Sequence, residues 1–199
     1  MKAIILLNGE PYRGQINTEN ARVYCCDGAF EWAKGKVKID ENLGDYDSLS
    51  YLPTPAPQEI YPSEKNFTDG EIAVQRAIAA GAGEIEIYGG GGAREDHFLG
   101  NLHLLYHAFE HGVKAEMITN FARIFVASGW VEINGCKGKT LSIVPFGGNA
   151  HIMESGGLKY PLEKLDLRYG STRGISNIAL EDKAYILTND RVLVLVNSL

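Results

Sequence analysis

The apolar pattern of this 199-residue chain changes period once, near residue 120, and each period admits a different architecture. Before that point strand-like and helix-like runs alternate: Ala3 to Leu7, Arg22 to Cys26, Ala29 to Lys34, Glu59 to Tyr61, Glu71 to Ala80, Glu84 to Tyr88, Phe98 to His111 and Ala115 to Thr119. Alternation of this kind predicts an α/β domain, a mostly parallel, Rossmann-like sheet with helices on its faces. After Asn120 the helical period disappears. Short alternating runs separated by turns replace it: Val131 to Ile133 before Asn134-Gly135, Leu141 to Val144 before Pro145-Phe146-Gly147-Gly148, then Ala184 to Leu187, Asn189-Asp190, and Val192 to Val196. That pattern predicts an all-β antiparallel sandwich or barrel. Two domains are therefore expected, residues 1–122 and 123–199, joined without a flexible linker.

Charge and apolar run length exclude several function classes. Nineteen basic against 25 acidic residues give 19 − 25 = −6, which argues against a nucleic-acid partner, since phosphate-backbone binding needs a basic face. No apolar run approaches the roughly 20 residues that span a bilayer, and Ala3 to Leu7 is too short for a secretory leader. No membrane association and a cytoplasmic location are expected. Cys25, Cys26 and Cys136 show neither metal-ligand nor redox spacing and read as core thiols.

Three clusters of small and charged residues carry the chemistry. In Gly44-Asp45-Tyr46-Asp47-Ser48 the two carboxylates are two residues apart; an extended segment or a turn brings both to one side, and paired carboxylates call for a hard cation such as magnesium. The same composition also makes a solvated turn. Thr68-Asp69-Gly70-Glu71 fits a capping box that starts a helix, which accounts for Thr68 and Glu71 but less fully for Asp69, placed to reach a metal as well. Lys65, just before it, is a surface lysine or a phosphate contact. The third cluster, Gly89 to His97, follows a strand-like run. Its glycines Gly89, Gly90, Gly91 and Gly92 let backbone amides approach an anion, Arg94 supplies a charged fork, and Asp96 stands where a helix begins. Phe98, Leu102, Leu105 and Phe109 then trace an apolar face, with His97 and Asn101 pointing together elsewhere.

Other signatures fail. Gly138-Lys139-Thr140 resembles the end of a P-loop, but Ile133 occupies the place of its first glycine, and Arg94 occupies that of the third glycine in a dinucleotide fingerprint. His103, His107 and His111 share a helical stripe without the glutamate of a metalloprotease helix, so a solvated or packed stripe is the better reading.

Taken together, the motifs resemble those of the thiamine pyrophosphokinase family over nearly the whole chain. The resemblance lies in Asp27-Gly28-Ala29, in Gly44 to Ser48 against the family's Gly-Asp-Phe-Asp-Ser, in Lys65, Thr68 and Asp69, and in Gly92, Arg94, Asp96, His97 and Asn101. It continues through Ser155 to Leu162 and Gly174-Ile175-Ser176-Asn177. The chain departs from the family at Asn66, at Ile178, and in having no tryptophan within Val192 to Val196. The resemblance implies transfer of the pyrophosphoryl group of ATP to the hydroxyl of thiamine, giving thiamine diphosphate and AMP. It implies a magnesium-binding, catalytic set of Asp45, Asp47, Asp69 and Asp96. ATP contacts are implied at Asp27, Lys65, Thr68, Gly90, Gly91, Gly92, Arg94, His97 and Asn101, and thiamine contacts at Tyr160, Ser176 and Asn177. A homodimer with its active sites at the subunit interface is also implied. Four carboxylates gathered without a cation are expected to raise one another's pKa values or to leave their loops disordered. Two rival readings are a pyrophosphokinase acting on another alcohol, such as a hydroxymethyl pterin, and a non-catalytic nucleotide or thiamine sensor.

Overall fold

A strand with no polar alternation is one buried on both faces, and the first run is of that kind: Ala3, Ile4, Ile5 and Leu6 are all fully buried. The computed structural model describes residues 1–46, 49, 51–57, 60, 62, 64, 66–92 and 94–198. They fall into two units, Met1–Asn120 and Phe121–Leu199.

The first unit contains β1 (Lys2–Leu6), β2 (Ala21–Cys26), α1 (Ala29–Ala33), β3 (Glu41–Leu43), α2 (Asp69–Ala79), β4 (Glu84–Tyr88), α3 (Glu95–Glu110) and β5 (Lys114–Ile118). All five strands are parallel, in the order β3-β2-β1-β4-β5. Strands are therefore added outward from β1 to β3, after which α2 carries the chain back to β4 on the other side of β1. Open sheets bind ligands outside the carboxyl ends of their strands, beside such a reversal.

Alternation along the strands divides the core into two layers. Ile4, Leu6, Val23 and Cys25 pack with Ala29, Phe30 and Ala33 of α1. Leu7 faces the opposite way. A Cβ built on Gly70 of α2 would stand 3.2 Å from Leu7 Cδ2 and 3.0 Å from Leu104 Cδ1 of α3, so a side chain there would hold the helices off the sheet. Adjacent cysteines on one strand point to opposite faces: Cys25 lies under α1, while the Cys26 thiol donates to the Asp69 carbonyl at 3.6 Å. Burial pushes the Cys25 thiol up to about 12.

The sequence pattern did not predict every element of this unit. Strand β3 was not foreseen, because Glu41 and Asn42 are polar. Both are buried there, Glu41 between the guanidinium groups of Arg22 and Arg76, and Asn42 donating to the Pro55 carbonyl at 2.7 Å. The expected run Glu59 to Tyr61 lies partly outside the described residues, and Ile60 belongs to no strand.

The second unit is antiparallel throughout. It contains β6 (Ala122–Asn134), β7 (Thr140–Pro145), β8 (Ala150–Ile152), β9 (Glu154–Gly156), β10 (Leu165–Leu167), β11 (Asn177–Ile178) and β12 (Lys183–Asn197). The long β12 pairs with β6 along one edge; on its other edge β9 takes Tyr185 to Leu187 and β7 takes Val192 to Val196. Strand β11 extends the sheet from β7, and β8 pairs with β10 separately. Ile152 and Leu167 of that pair share one core with Ile133, Leu141, Ile143, Ile186 and Val194 of the larger sheet. Asn189-Asp190 is not the expected turn. Thr188 faces Gly129 and Val192 faces Ala127, so two extra residues bulge from a continuous strand, and Asp190 Oδ2 accepts the His151 amide at 2.8 Å. Among the described residues no helix is long and apolar enough to cross a membrane.

Candidate active site

The chain leaves β4 through Gly89 to Gly92, and the carbonyls of the first three glycines are each committed to the protein. Gly9 N–H donates to Gly89 O at 2.8 Å, Asn101 Nδ2 to Gly90 O at 2.9 Å, and Glu10 N–H to Gly91 O at 2.7 Å. Loop and neighbour approach so closely that a Cβ on Gly9 would stand 2.5 Å from Gly89 O and 2.6 Å from Gly91 O. A Cβ on Gly90 would collide with the Met117 sulfur. Glycine is thus required at Gly9 and Gly90 by contact, and the loop is held rigidly by its oxygens, which repel anions.

Two helix starts complete the site. Thr68 caps α2, its Oγ1 accepting from the Glu71 amide at 3.2 Å, and Asp69 opens the first turn. Arg94 stands at the start of α3 and binds Asp96 through both carboxylate oxygens, Nε to Oδ1 at 3.1 Å and Nη2 to Oδ2 at 2.7 Å. Asp96 Oδ1 also accepts the His97 amide at 2.9 Å. Arg94 holds the Asp96 carboxyl well below the ordinary range, at about 2, although the side chain is 66% exposed. The expectation of raised carboxyl pKa values is therefore corrected for Asp96, because the nearest charge to it is a cation.

These elements surround a cleft of about 910 Å³ at the carboxyl edge of the sheet. Asp27, Thr68, Asp69, Gly90, Gly92, Arg94, Asp96, His97 and Asn101 all line it. Asn101 contributes by anchoring the glycine loop. Gly91 takes part through its carbonyl. Asp45 follows β3, half-buried, and the preceding Gly44 presses on Asp27, where a Cβ would stand 3.0 Å from the Asp27 Cβ. Asp47 and Lys65 lie outside the described residues.

Sequence reasoning missed part of the lining. Asn8 and Gly9 contribute from the end of β1, and His103, Tyr106, His107 and Glu110 extend the wall along α3. The signal for the first pair was an Asn-Gly step directly after a fully buried strand. Among the described residues no group of three acidic, histidine or cysteine side chains converges as a metal site. Magnesium does not require one, since it keeps waters and binds through one or two carboxylates plus substrate phosphates. The carboxylates of Asp69 and Asp96, hard oxygen donors in one cleft, fit that demand.

In the second unit Asn177 is buried and its amide is spent on Tyr160: Oδ1 accepts the Tyr160 amide at 3.0 Å and Nδ2 donates to its carbonyl at 2.6 Å. Tyr160 itself is 54% exposed. Ser176 is exposed, with its backbone in the left-handed region at φ 62° and its amide donating to Ser142 Oγ at 3.1 Å.

Comparison with known proteins places this geometry in context. Residues 14–117 match the family model "Thiamin pyrophosphokinase, catalytic domain", and residues 131–193 match "Thiamin pyrophosphokinase, vitamin B1 binding domain". The thiamine pyrophosphokinase of Bacillus subtilis (strain 168) is 31% identical over 167 residues, covering 79% of this chain and 78% of that protein. A crystal structure of thiamine pyrophosphokinase from Bacillus subtilis superposes with a TM-score of 0.85 at 25% identity, over 100% of this chain and 99% of the other. Thiamin pyrophosphokinase from Candida albicans shares the fold at a TM-score of 0.80 and 16% identity, over 98% of this chain and 88% of that one.

Proposed function

The chain belongs to the thiamine pyrophosphokinase family, and from that premise we propose that its cleft receives ATP and its second unit receives thiamine. The enzyme is an ATP-dependent thiamine diphosphokinase: it transfers a pyrophosphoryl group from ATP to the thiamine hydroxyl and releases AMP. The observation that carries the site assignment is the glycine loop. Its three successive carbonyls are taken up by the protein, which fixes the loop beside the N-terminal ends of α2 and α3, and it is the positive dipole ends of those helices that suit polyphosphate.

The thiamine oxygen attacks the β-phosphorus in line, the bond from that phosphorus to the oxygen bridging to the α-phosphorus breaks, and AMP departs with that oxygen. The protein's part is mostly positioning and charge cancellation. Gly9, Glu10 and Asn101 keep the loop in shape. Arg94 exchanges Asp96 for phosphate oxygens, and Lys65 adds a second cation. Asp69, at the first turn of α2, accepts the hydroxyl proton. Asp69, with Asp45 and Asp47 after β3, would hold magnesium directly or through water, and Asp96 would join them once Arg94 is engaged by the nucleotide. Bound there, magnesium neutralises charge on the polyphosphate. Asn177 acts through Tyr160, which with Ser176 meets thiamine. A homodimer in which each cleft is completed by the partner's second unit follows the family pattern, and a cytoplasmic location remains the reading of the short apolar runs.

The match of residues 131–193 to a vitamin B1 binding domain favours thiamine over another alcohol. Incubation with ATP, magnesium and thiamine, followed by chromatography, should yield AMP and thiamine diphosphate in equal amounts. Equal AMP release with a hydroxymethyl pterin would overturn the acceptor. Asp69→Asn should lower turnover by about 10²–10⁴-fold with an unchanged melting curve; retained turnover removes Asp69 from the reaction.

A further inference from the structure

Tyr46 departs from the expected in two ways at once. Its backbone lies at φ 59°, a left-handed conformation that a bulky side chain rarely adopts. Its hydroxyl is buried with no hydrogen-bond partner among the described residues, and the residue as a whole is 4% exposed. Either feature lowers the stability of the free protein, and such outliers gather where another state makes use of them.

The segment that carries the ring adjoins the cleft, since Gly44, two residues before it, presses on Asp27, which lines the cleft. Cys26, Asp27 and Asp69 line the cleft floor. The turn that carries the ring is fixed on both sides: Gly44 presses on Asp27, and the Leu49 amide donates to the Tyr46 carbonyl at 3.0 Å. A ring that served only to fill space would do so better without its oxygen.

We propose that Tyr46 is a positioning residue for the nucleotide-bound state: with ATP in the cleft, its hydroxyl donates to an aspartate oxygen of the floor, on Asp27 or Asp69, and fixes that side chain in its bound position. The proposal rests on the reading that the cleft takes ATP. It divides the effect of the hydroxyl between two states, unfavourable in the free protein and favourable in the complex.

Tyr46→Phe separates the two. Without ligand its melting temperature should rise by roughly 1–4 °C, since an unsatisfied buried group is removed. Calorimetry with ATP and magnesium should show the dissociation constant weakened about five- to tenfold, with KM for ATP raised and KM for thiamine unchanged. A ligand-free melting temperature that falls or stays put, or wild-type affinity for ATP, overturns the proposal. Asp69→Asn is titrated alongside. If it binds ATP as the wild type does, the cleft reading fails and the Tyr46 proposal fails with it. If Asp69→Asn loses affinity and Tyr46→Phe does not, only the role of Tyr46 fails.

Discussion

Asp96 and Arg94 satisfy each other in the free protein, which sets how the site responds to acid. Because the Asp96 carboxyl is held at about 2, below its ordinary value, the pair's contribution is present in full above that ordinary value and fades as pH falls toward about 2. Comparing Asp96→Asn with wild type by urea unfolding should therefore give a constant difference from about pH 5 to 9 that vanishes between about pH 4 and 2, and that shrinks with added salt, the pair being exposed. A difference that grows on acidification would contradict the pairing. At this scale the residue types were legible. Thr68, Asp69 and the glycines have fixed spacings with local physical reasons behind them. The anchoring of Gly90 by Asn101 and the clasp of Asn177 on Tyr160 were not, because each amide engages backbone atoms distant in sequence.

Among elements, the contact of the first loop with the glycine loop governs the site. Gly9→Ala would drive a methyl group into two backbone oxygens, and overpacking of this kind costs about 1–3 kcal/mol. The variant should melt earlier and show a KM for ATP raised roughly tenfold, read by thermal denaturation and steady-state kinetics; a wild-type KM would mean the loop is not held through Gly9. Element types were readable wherever apolar residues repeat, as in β1, β4 and α3. Two kinds of element escaped that test. Strand β3 is polar because Arg22 and Arg76 compensate the buried Glu41, so hydrophobic patterning is silent there. Strand β12 contains Asn189-Asp190, residues typical of turns, but the bulge absorbs them without ending the pairing.

For the whole molecule, the shared-site proposal makes a prediction no single chain can meet. Asp69→Asn and Asn177→Ala each disable one unit. Refolded together, half of the pairs should be mixed, and each mixed pair should keep one of its two clefts free of both substitutions, so activity should recover to about one quarter of wild type. No recovery, with mixed pairs seen by native mass spectrometry, would place each site within one chain. The change from helices alternating with strands to antiparallel strands alone was legible from periodicity, whereas pairing between copies leaves no periodic trace. One feature of the second unit reaches beyond catalysis: β6, β7 and β9 all pair with β12, which follows them in the chain. During synthesis these three strands emerge from the ribosome before their common neighbour, while every strand of the first unit has already been made. The nascent chain therefore completes its first unit early and exposes open sheet edges until β12 arrives, which makes this interval the one in which chaperones have most to protect.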